Sequence, residues 1–181
     1  MSDRRTAPEF ECERCGHCCR TIRVPLTEAD LRRLTEASRL AAEQIVEWCA
    51  PNEIDMEGEP ETFAHVREGR RIMVLSHVNG ACRFLQDERC SVYPHRPTAC
   101  AAFPFFVEAD GSAIGRLPGP CEPTSVPNPG HVRQVSATLS CELESHAWRV
   151  HAWNRRQRRR LRLHRPAESQ SQFLEHLGFG R

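Results

Sequence analysis

The cysteines near the amino terminus are the residues of this chain whose type and spacing indicate chemistry most directly. Four of them fall within eight residues, as Cys12-x2-Cys15-x2-Cys18-Cys19. The adjacent pair Cys18 and Cys19 can form a disulfide with each other only through a strained ring. A metal ion, by contrast, offsets the repulsion between closely spaced thiolates. The run therefore predicts a metal site.

A second group of cysteines follows more than sixty residues later and raises the number of candidate thiols to eight. Its members are Cys82, Cys90, Cys100 and Cys121. Arginines lie within four residues of several of these thiols in the sequence, and their charge would offset the formal negative charge of a dication held by thiolates. These arginines are Arg14, Arg20, Arg83 and Arg96. A disulfide framework or buried, inert cysteines are the alternative interpretations.

The predicted compartment favours metal binding among these alternatives. Residues 1–8 contain no apolar stretch of the kind that a secretory signal needs. No segment approaches the roughly 20 apolar residues of a membrane span. We therefore expect a cytoplasmic protein without a membrane partner, and clustered cysteines in that reducing compartment bind metal more often than they form disulfides. Cys49 and Cys141 stand apart, each in a predicted helix, and are expected to pack in the core.

The rest of the sequence predicts the elements that must position these thiols. Residues 27–49 carry apolar residues at helical spacing behind Thr27, a favourable N-cap. Strands are predicted at 71–75 and 103–107, and the Asp-Gly pair that follows the second strand predicts a hairpin with residues 114–117.

These elements predict an α+β fold: a small loop-rich domain built round a cysteine-ligated metal centre, with an N-terminal helix, short antiparallel strands and a C-terminal helical extension. We expect a cysteine-cluster metal-binding domain at 9–124. A helical extension with a basic end is predicted at 131–165, and a flexible tail at 166–181.

Three ordered motifs resemble those of a known family. The first is Cys12-Glu13-Arg14-Cys15-Gly16-His17-Cys18-Cys19, the second joins Cys82-Arg83-Phe84-Leu85 to Cys90-Ser91-Val92-Tyr93, and the third joins Arg96-Pro97-Thr98-Ala99-Cys100 to Phe103-Pro104-Phe105. They are similar to motifs of the bacterial CxxCxxCC or YkgJ-like family of zinc- or iron-chelating domains. The resemblance covers about residues 10–122. One departure is Ala101, where the family often has arginine.

The resemblance implies a set of metal ligands, which includes Cys121 as a looser match. The set is Cys12, Cys15, Cys18, Cys19, Cys82, Cys90, Cys100 and Cys121. Zinc takes four ligands, so eight thiols suffice for two ions. The spacing C-x2-C-x2-C also resembles that of cysteines around an iron–sulfur cluster with a fourth ligand from elsewhere. Zinc ion and iron–sulfur cluster, in one centre or two, therefore both stay open.

The sequence predicts a metal-binding protein in which the metal is largely structural, and it does not indicate an enzyme. It has no P-loop, no G-x-G-x-x-G turn and no G-x-S-x-G elbow. An iron–sulfur redox protein or oxidoreductase component is one alternative. The other is nucleic-acid or acidic-partner binding through the arginine-rich stretch from Arg155 to Arg165. The net charge of +1 argues against a general affinity of the whole chain for nucleic acid.

Overall fold

The computed structural model describes most of the chain, including the candidate cysteines from Cys15 to Cys100. The described residues are 15–54, 62–108, 111, 113–117 and 128–180. Cys12 and Cys121 lie outside them, as does Arg14.

The described residues form short elements followed by one long helix. The helices are α1 (His17–Thr21), α2 (Glu28–Ser38), α3 (Ala42–Ile45), α4 (Thr98–Ala102), α5 (Pro129–Arg162) and α6 (Gln170–His176), with a 3-10 helix at Tyr93–His95. The strands are β1 (Val46–Cys49), β2 (Ala64–Val66), β3 (Gly69–Leu75), β4 (His77–Val78), β5 (Ala81–Cys82), β6 (Leu85–Gln86), β7 (Arg89–Cys90), β8 (Phe105–Val107) and β9 (Ile114–Arg116). Within this part of the chain, no helix is both long and apolar enough to cross a bilayer.

The central sheet has the order β1-β3-β2, and both strand pairs are antiparallel. Its middle strand β3 is the predicted strand at 71–75, extended by two residues at its start. Met73 and Leu75 face the main core, whereas Ile72 and Val74 belong to a smaller apolar cluster. Because side chains alternate along a strand, β3 joins the two clusters through its two faces.

The α+β prediction is confirmed, including the short antiparallel strands. The predicted hairpin is the pair β8–β9, in which Phe105 lies opposite Arg116. The predicted C-terminal helix is α5.

The single N-terminal helix predicted for residues 27–49 was wrong in its second half. Its start is confirmed, because the Thr27 side chain accepts a hydrogen bond from the backbone of Asp30 in a capping box. The helix ends at Ser38, since Arg39 adopts a left-handed conformation with φ 61°. After α3 the chain becomes strand β1, where Val46–Cys49 pair with β3. Pairing with a buried strand overrides the helical spacing of these residues.

Helix α5 covers the outer edge of the sheet at β2. The Asn154 side chain accepts a hydrogen bond from the His65 backbone N–H at 2.7 Å and donates one to the Phe63 carbonyl at 2.9 Å. The indole N–H of Trp153 donates to the His65 carbonyl at 2.8 Å. These side chains satisfy backbone groups that an edge strand would otherwise expose.

A flexible tail was predicted for residues 166–181, but residues 166–180 include helix α6 and contribute side chains to the main core. Phe173 of α6 is only 1% exposed, and its ring lies 5.2 Å from the ring of Trp153 and 5.8 Å from that of Trp48. Upstream of α6, the buried Glu168 accepts a hydrogen bond from Gln157 of α5 at 2.8 Å. Side chains of α5 and α6 thus lie in the same core cluster as those of α2 and β3. The three-segment division itself stays a prediction.

Candidate metal centre

Five of the predicted ligand cysteines line one cavity of about 310 Å³. They are Cys18, Cys19, Cys82, Cys90 and Cys100. Four separate elements contribute them, α1, β5, β7 and α4. Each of these elements is short, so the position of each thiol depends on a local turn or on a contact with a larger element.

The first element, α1, begins behind a glycine whose backbone is left-handed. Gly16 has φ 71°, and a Cβ added to it would lie 2.2 Å from Nη1 of Arg20. Glycine adopts this conformation without steric cost, which allows the sharp entry into α1. Cys18 and Cys19 then lie on the first turn of α1 and face the cavity, while Cys15 is exposed.

A tight hairpin positions Cys82. Strands β4 and β5 are joined by Asn79 and Gly80, which both have positive φ values of 53° and 79°. Positive φ at both central residues is the type I′ geometry, for which Asn-Gly is the preferred sequence. The hairpin sets Cys82 opposite His77 and buries it, and α1 packs against the same strand.

A second tight hairpin positions Cys90 opposite Leu85. Its turn residues Asp87 and Glu88 also have positive φ, at 46° and 60°. The Glu88 carboxylate forms an ion pair with Arg20 of α1 at 2.5 Å. The pair is exposed, so it contributes little stability, but it joins the turn of this hairpin to the helix that carries Cys18.

A buried ionic network positions Cys100 through the start of its helix. The backbone N–H of Thr98, the first residue of α4, donates to Oδ1 of Asp30 at 2.8 Å. The Thr98 hydroxyl donates to Oε2 of Glu142 at 2.8 Å. Arg33 lies between the two acids, 2.6 Å from Asp30 and 2.5 Å from Glu142. Asp30 is 1% exposed, so its carboxylate is shielded from solvent. The network joins the start of α4 to α2 through Asp30 and Arg33, and to α5 through Glu142.

The pKa of Glu142 reports the strength of that network. Burial alone would raise the pKa of this carboxyl group, but hydrogen bonds from Arg33 and Thr98 lower it below its usual value. Glu142 is therefore ionised at neutral pH, as the pairing with Arg33 requires.

The cavity thiols influence one another electrostatically. A hydrogen bond with Cys19 and burial raise the pKa of Cys18 far above its ordinary value. Burial raises the pKa of Cys100, and negative charge on Cys82, Cys18 or Cys90 raises it further. Burial likewise raises the pKa of Cys82, with contributions from Cys90 and Cys18. Thiols that oppose one another's ionisation in this way need a cation beside them to become thiolates.

The rest of the cavity wall is mainly apolar and aromatic. Phe84, Val92, Phe103 and Phe105 are among the lining residues. Arg96 also lines the cavity, and its guanidinium group lies 4.0 Å from the centre of the Tyr93 ring. An apolar wall lowers the local dielectric constant, which strengthens charge interactions beside it.

Of the arginines expected beside the thiols, only some lie at the cavity. Arg96 lines the cavity, but Arg20 is paired with Glu88, and Arg83 donates to the hydroxyl of Ser76 at 3.2 Å.

The two cysteines predicted to pack in the core differ in their surroundings. Cys49 is 3% exposed on β1 and belongs to the smaller apolar cluster, which confirms the prediction. Cys141 is exposed on α5, so the prediction was wrong for that residue. Cys141 lies on the side of α5 that faces solvent. The residue type alone does not predict which side of a helix a cysteine occupies.

Within the described ranges, no three side chains of His, Cys, Asp or Glu already form an arrangement that could hold a metal ion. The donor chemistry nevertheless fits a thiophilic metal, since the cavity offers soft sulfur donors and a mainly apolar wall. A carboxylate-preferring ion such as magnesium does not fit this donor set.

Sequence reasoning missed the residues that hold the thiols in place. Asp30 is one of them: it belongs to the capped start of α2, and its carboxylate also accepts a hydrogen bond from the backbone of α4. The Asn79-Gly80 pair was a readable hairpin signal that predicts the turn before Cys82. By contrast, no local pattern reveals that Thr98 and Glu142 are hydrogen-bonded partners, because they are 44 residues apart.

The fold and the cavity together define a class of protein: a small α+β domain whose cysteines converge from separate elements. The CxxCxxCC family model, described as a putative zinc- or iron-chelating domain, matches residues 11–122, which are 112 of the 181 residues. The chain belongs to this family. No curated protein and no solved structure shows a significant match to it.

Proposed function

We propose that the chain binds zinc or an iron–sulfur cluster in the cysteine-lined cavity and that the metal is largely structural. The observation that supports this most is the convergence of Cys18, Cys82, Cys90 and Cys100 from four elements on one cavity. These four thiols are the proposed ligands. Cys19 also lines the cavity and is a fifth candidate donor. The reducing cytoplasm predicted from the sequence would keep all of these thiols available.

Three further cysteines from the predicted set, Cys12, Cys15 and Cys121, are proposed as ligands of a second ion or of a larger cluster. The cavity supports this option by its size. A volume of about 310 Å³ is roughly ten times the volume per water molecule in the liquid, about 30 Å³. Such a space holds more than one ion, or one cluster with its inorganic sulfides.

The small size of the cysteine-bearing elements supports a structural role for the metal. Strands β4, β5, β6 and β7 have two residues each. Isolated two-stranded hairpins are at best marginally stable in water. A metal bound by thiolates would join α1, both hairpins and α4, and bound zinc supplies folding free energy directly.

Cysteine variants test the ligand assignment. Cys82→Ser and Cys100→Ser are expected to purify with less metal than the unaltered chain, and to lose the remainder faster to a chelator. Cys141→Ser is the matched control, because that cysteine is exposed and does not line the cavity. Equal metal content in all three variants and the unaltered chain would overturn the assignment.

The identity of the metal is tested by elemental analysis and an absorption spectrum after anaerobic purification without added metal. Broad absorbance near 400 nm, with matching iron and sulfide, indicates an iron–sulfur protein and makes a redox role the next question. A colourless protein with bound zinc indicates a structural or metal-handling domain.

A further inference from the structure

The second half of α5 and the turn after it form the most strongly charged segment of the molecule. Residues 145–167 contain eight arginines and no acidic residue. The nearest acids in the sequence are Glu144 and Glu168 at its two borders. This excess of positive charge is local, because the whole chain has a net charge of only +1.

Three of the eight arginines have carboxylate partners. Arg149 pairs with Glu28 of α2 at 2.6 Å, and Arg156 and Arg160 both pair with Glu168. The other five have no ion pair with any residue that the structure describes, and all five are exposed. They are Arg155, Arg158, Arg159, Arg162 and Arg165.

An exposed tryptophan lies on the same face of α5 as four of these five arginines; the fifth, Arg165, follows the end of the helix. Trp148 is 70% exposed, whereas Trp153 is fully buried against the sheet. At 3.6 residues per turn, Arg155, Arg159 and Arg162 follow Trp148 along one side of α5. The name "Trp-Arg face" is used here for Trp148, Arg155, Arg158, Arg159 and Arg162.

Helix stability does not account for the Trp-Arg face. Arginines in the last turn benefit from the helix dipole, but the effect falls off within that turn, and Arg155 and Arg158 precede it. Arg155 and Arg159 are four residues apart, as are Arg158 and Arg162. Like charges at this spacing repel and destabilise a helix. A bound polyanion would remove that repulsion.

We propose that the Trp-Arg face binds single-stranded nucleic acid. The arginines would contact successive phosphates, and the Trp148 indole would stack on an unpaired base. From Trp148 to Arg162 the face is about 21 Å long at 1.5 Å per residue. At about 3.4 Å per nucleotide, the spacing along one stacked strand of duplex DNA, this length corresponds to about six nucleotides. The proposal is independent of the metal centre, since none of these residues lines the cavity.

The structure favours nucleic acid over a membrane surface or an acidic protein. A helix that lies in a bilayer must insert its apolar face, and in α5 that face is already buried in the core through Val150 and Trp153. An acidic peptide would satisfy the arginines but gives no role to an isolated exposed indole. Base stacking uses the indole and the guanidinium planes together.

Binding is measured by fluorescence anisotropy of the full chain with a labelled single-stranded oligonucleotide of roughly twelve nucleotides, about twice the proposed span. With four arginines in contact, the logarithm of the affinity should fall against the logarithm of the salt concentration with a slope of about −3. The double variant Arg155→Gln/Arg159→Gln should reduce that slope by about 1.4. The control Arg39→Gln/Arg133→Gln removes the same charge elsewhere and should keep the slope of the unaltered chain.

Trp148 distinguishes base stacking from simple charge attraction. Trp148→Ala should weaken binding by about fivefold to a hundredfold, and Trp148→Phe should restore most of it. Point variants are the right tool, because truncation at residue 154 would also remove the core residue Phe173. The proposal is overturned by no binding at low salt, by equal affinity for a duplex, by an unaffected Trp148→Ala variant, or by tighter binding to an acidic peptide or to anionic vesicles.

Discussion

His146 on α5 is expected to make the stability of the fold depend on pH. Its imidazole is 6% exposed, and its Nδ1 accepts a hydrogen bond from the backbone N–H of Glu28 at 3.3 Å. Burial, with a smaller contribution from the charge of Arg149, lowers the pKa of His146 from 6.5 to about 4. The folded protein therefore holds this histidine neutral at a pH where the unfolded chain protonates it.

The sign and size of the effect follow from that difference in pKa. Between pH 6.5 and 4 the unfolded state binds more protons than the folded state, so stability falls as the pH is lowered. A difference of about 2.5 pKa units corresponds to roughly 3 kcal/mol in total. Of this, about 2 kcal/mol should already be lost between pH 7.5 and 5.

Urea unfolding of the unaltered chain and of His146→Gln measures this contribution. Glutamine can accept the same hydrogen bond from Glu28 but cannot be protonated. The variant should therefore lose about 2 kcal/mol less than the unaltered chain between pH 7.5 and 5. The lowered pKa of His65 and any release of metal act in both proteins, so they cancel in the comparison. An equal loss of stability in both proteins would show that His146 does not cause this pH dependence.

Three further predictions follow from the packing. Phe173→Ala should reduce the free energy of unfolding by about 3–5 kcal/mol in urea titrations, because the ring is fully buried between two tryptophans. A negligible change would mean that α6 is not part of the core. Asp30→Ala should reduce the free energy of unfolding by about 3–5 kcal/mol and also weaken metal retention, since the variant leaves Arg33 and the Thr98 N–H without the buried Asp30 carboxylate. Metal retention equal to that of the unaltered chain would show that the position of Cys100 does not depend on this network. Chelation should raise hydrogen exchange in residues 77–102 while β3 stays protected by its core contacts; unchanged exchange after confirmed metal removal would exclude a structural metal.

The parts of the fold that were predictable have strong local signals. Thr27 caps α2 as predicted, and the helical extension predicted at 131–165 appears as α5, which ends at Arg162. The β8–β9 hairpin has between its two strands in the sequence the Asp110-Gly111 pair that predicts it. Each of these features depends mainly on residues close together in the sequence.

The parts that were not predictable depend on distant partners. Residues Val46–Cys49 continue a helical pattern but become a strand, because β3 offers backbone pairing from 23 or more residues away. The C-terminal residues from 166 onward were predicted as a tail, yet the Phe173 ring packs between Trp48 and Trp153. The cysteine spacing indicated a metal site, but only the fold shows which of the described thiols line the same cavity.

X-ray absorption at the edge of the metal that copurifies with the full chain reports directly on the proposed cysteine ligands. We expect a first shell of sulfur only, at about 2.3 Å if the metal is zinc. For iron we expect a sulfur shell with a second shell of neighbouring iron atoms from a cluster. A shell of nitrogen and oxygen, or protein purified anaerobically without any metal, would contradict the proposal of a cysteine-ligated metal centre.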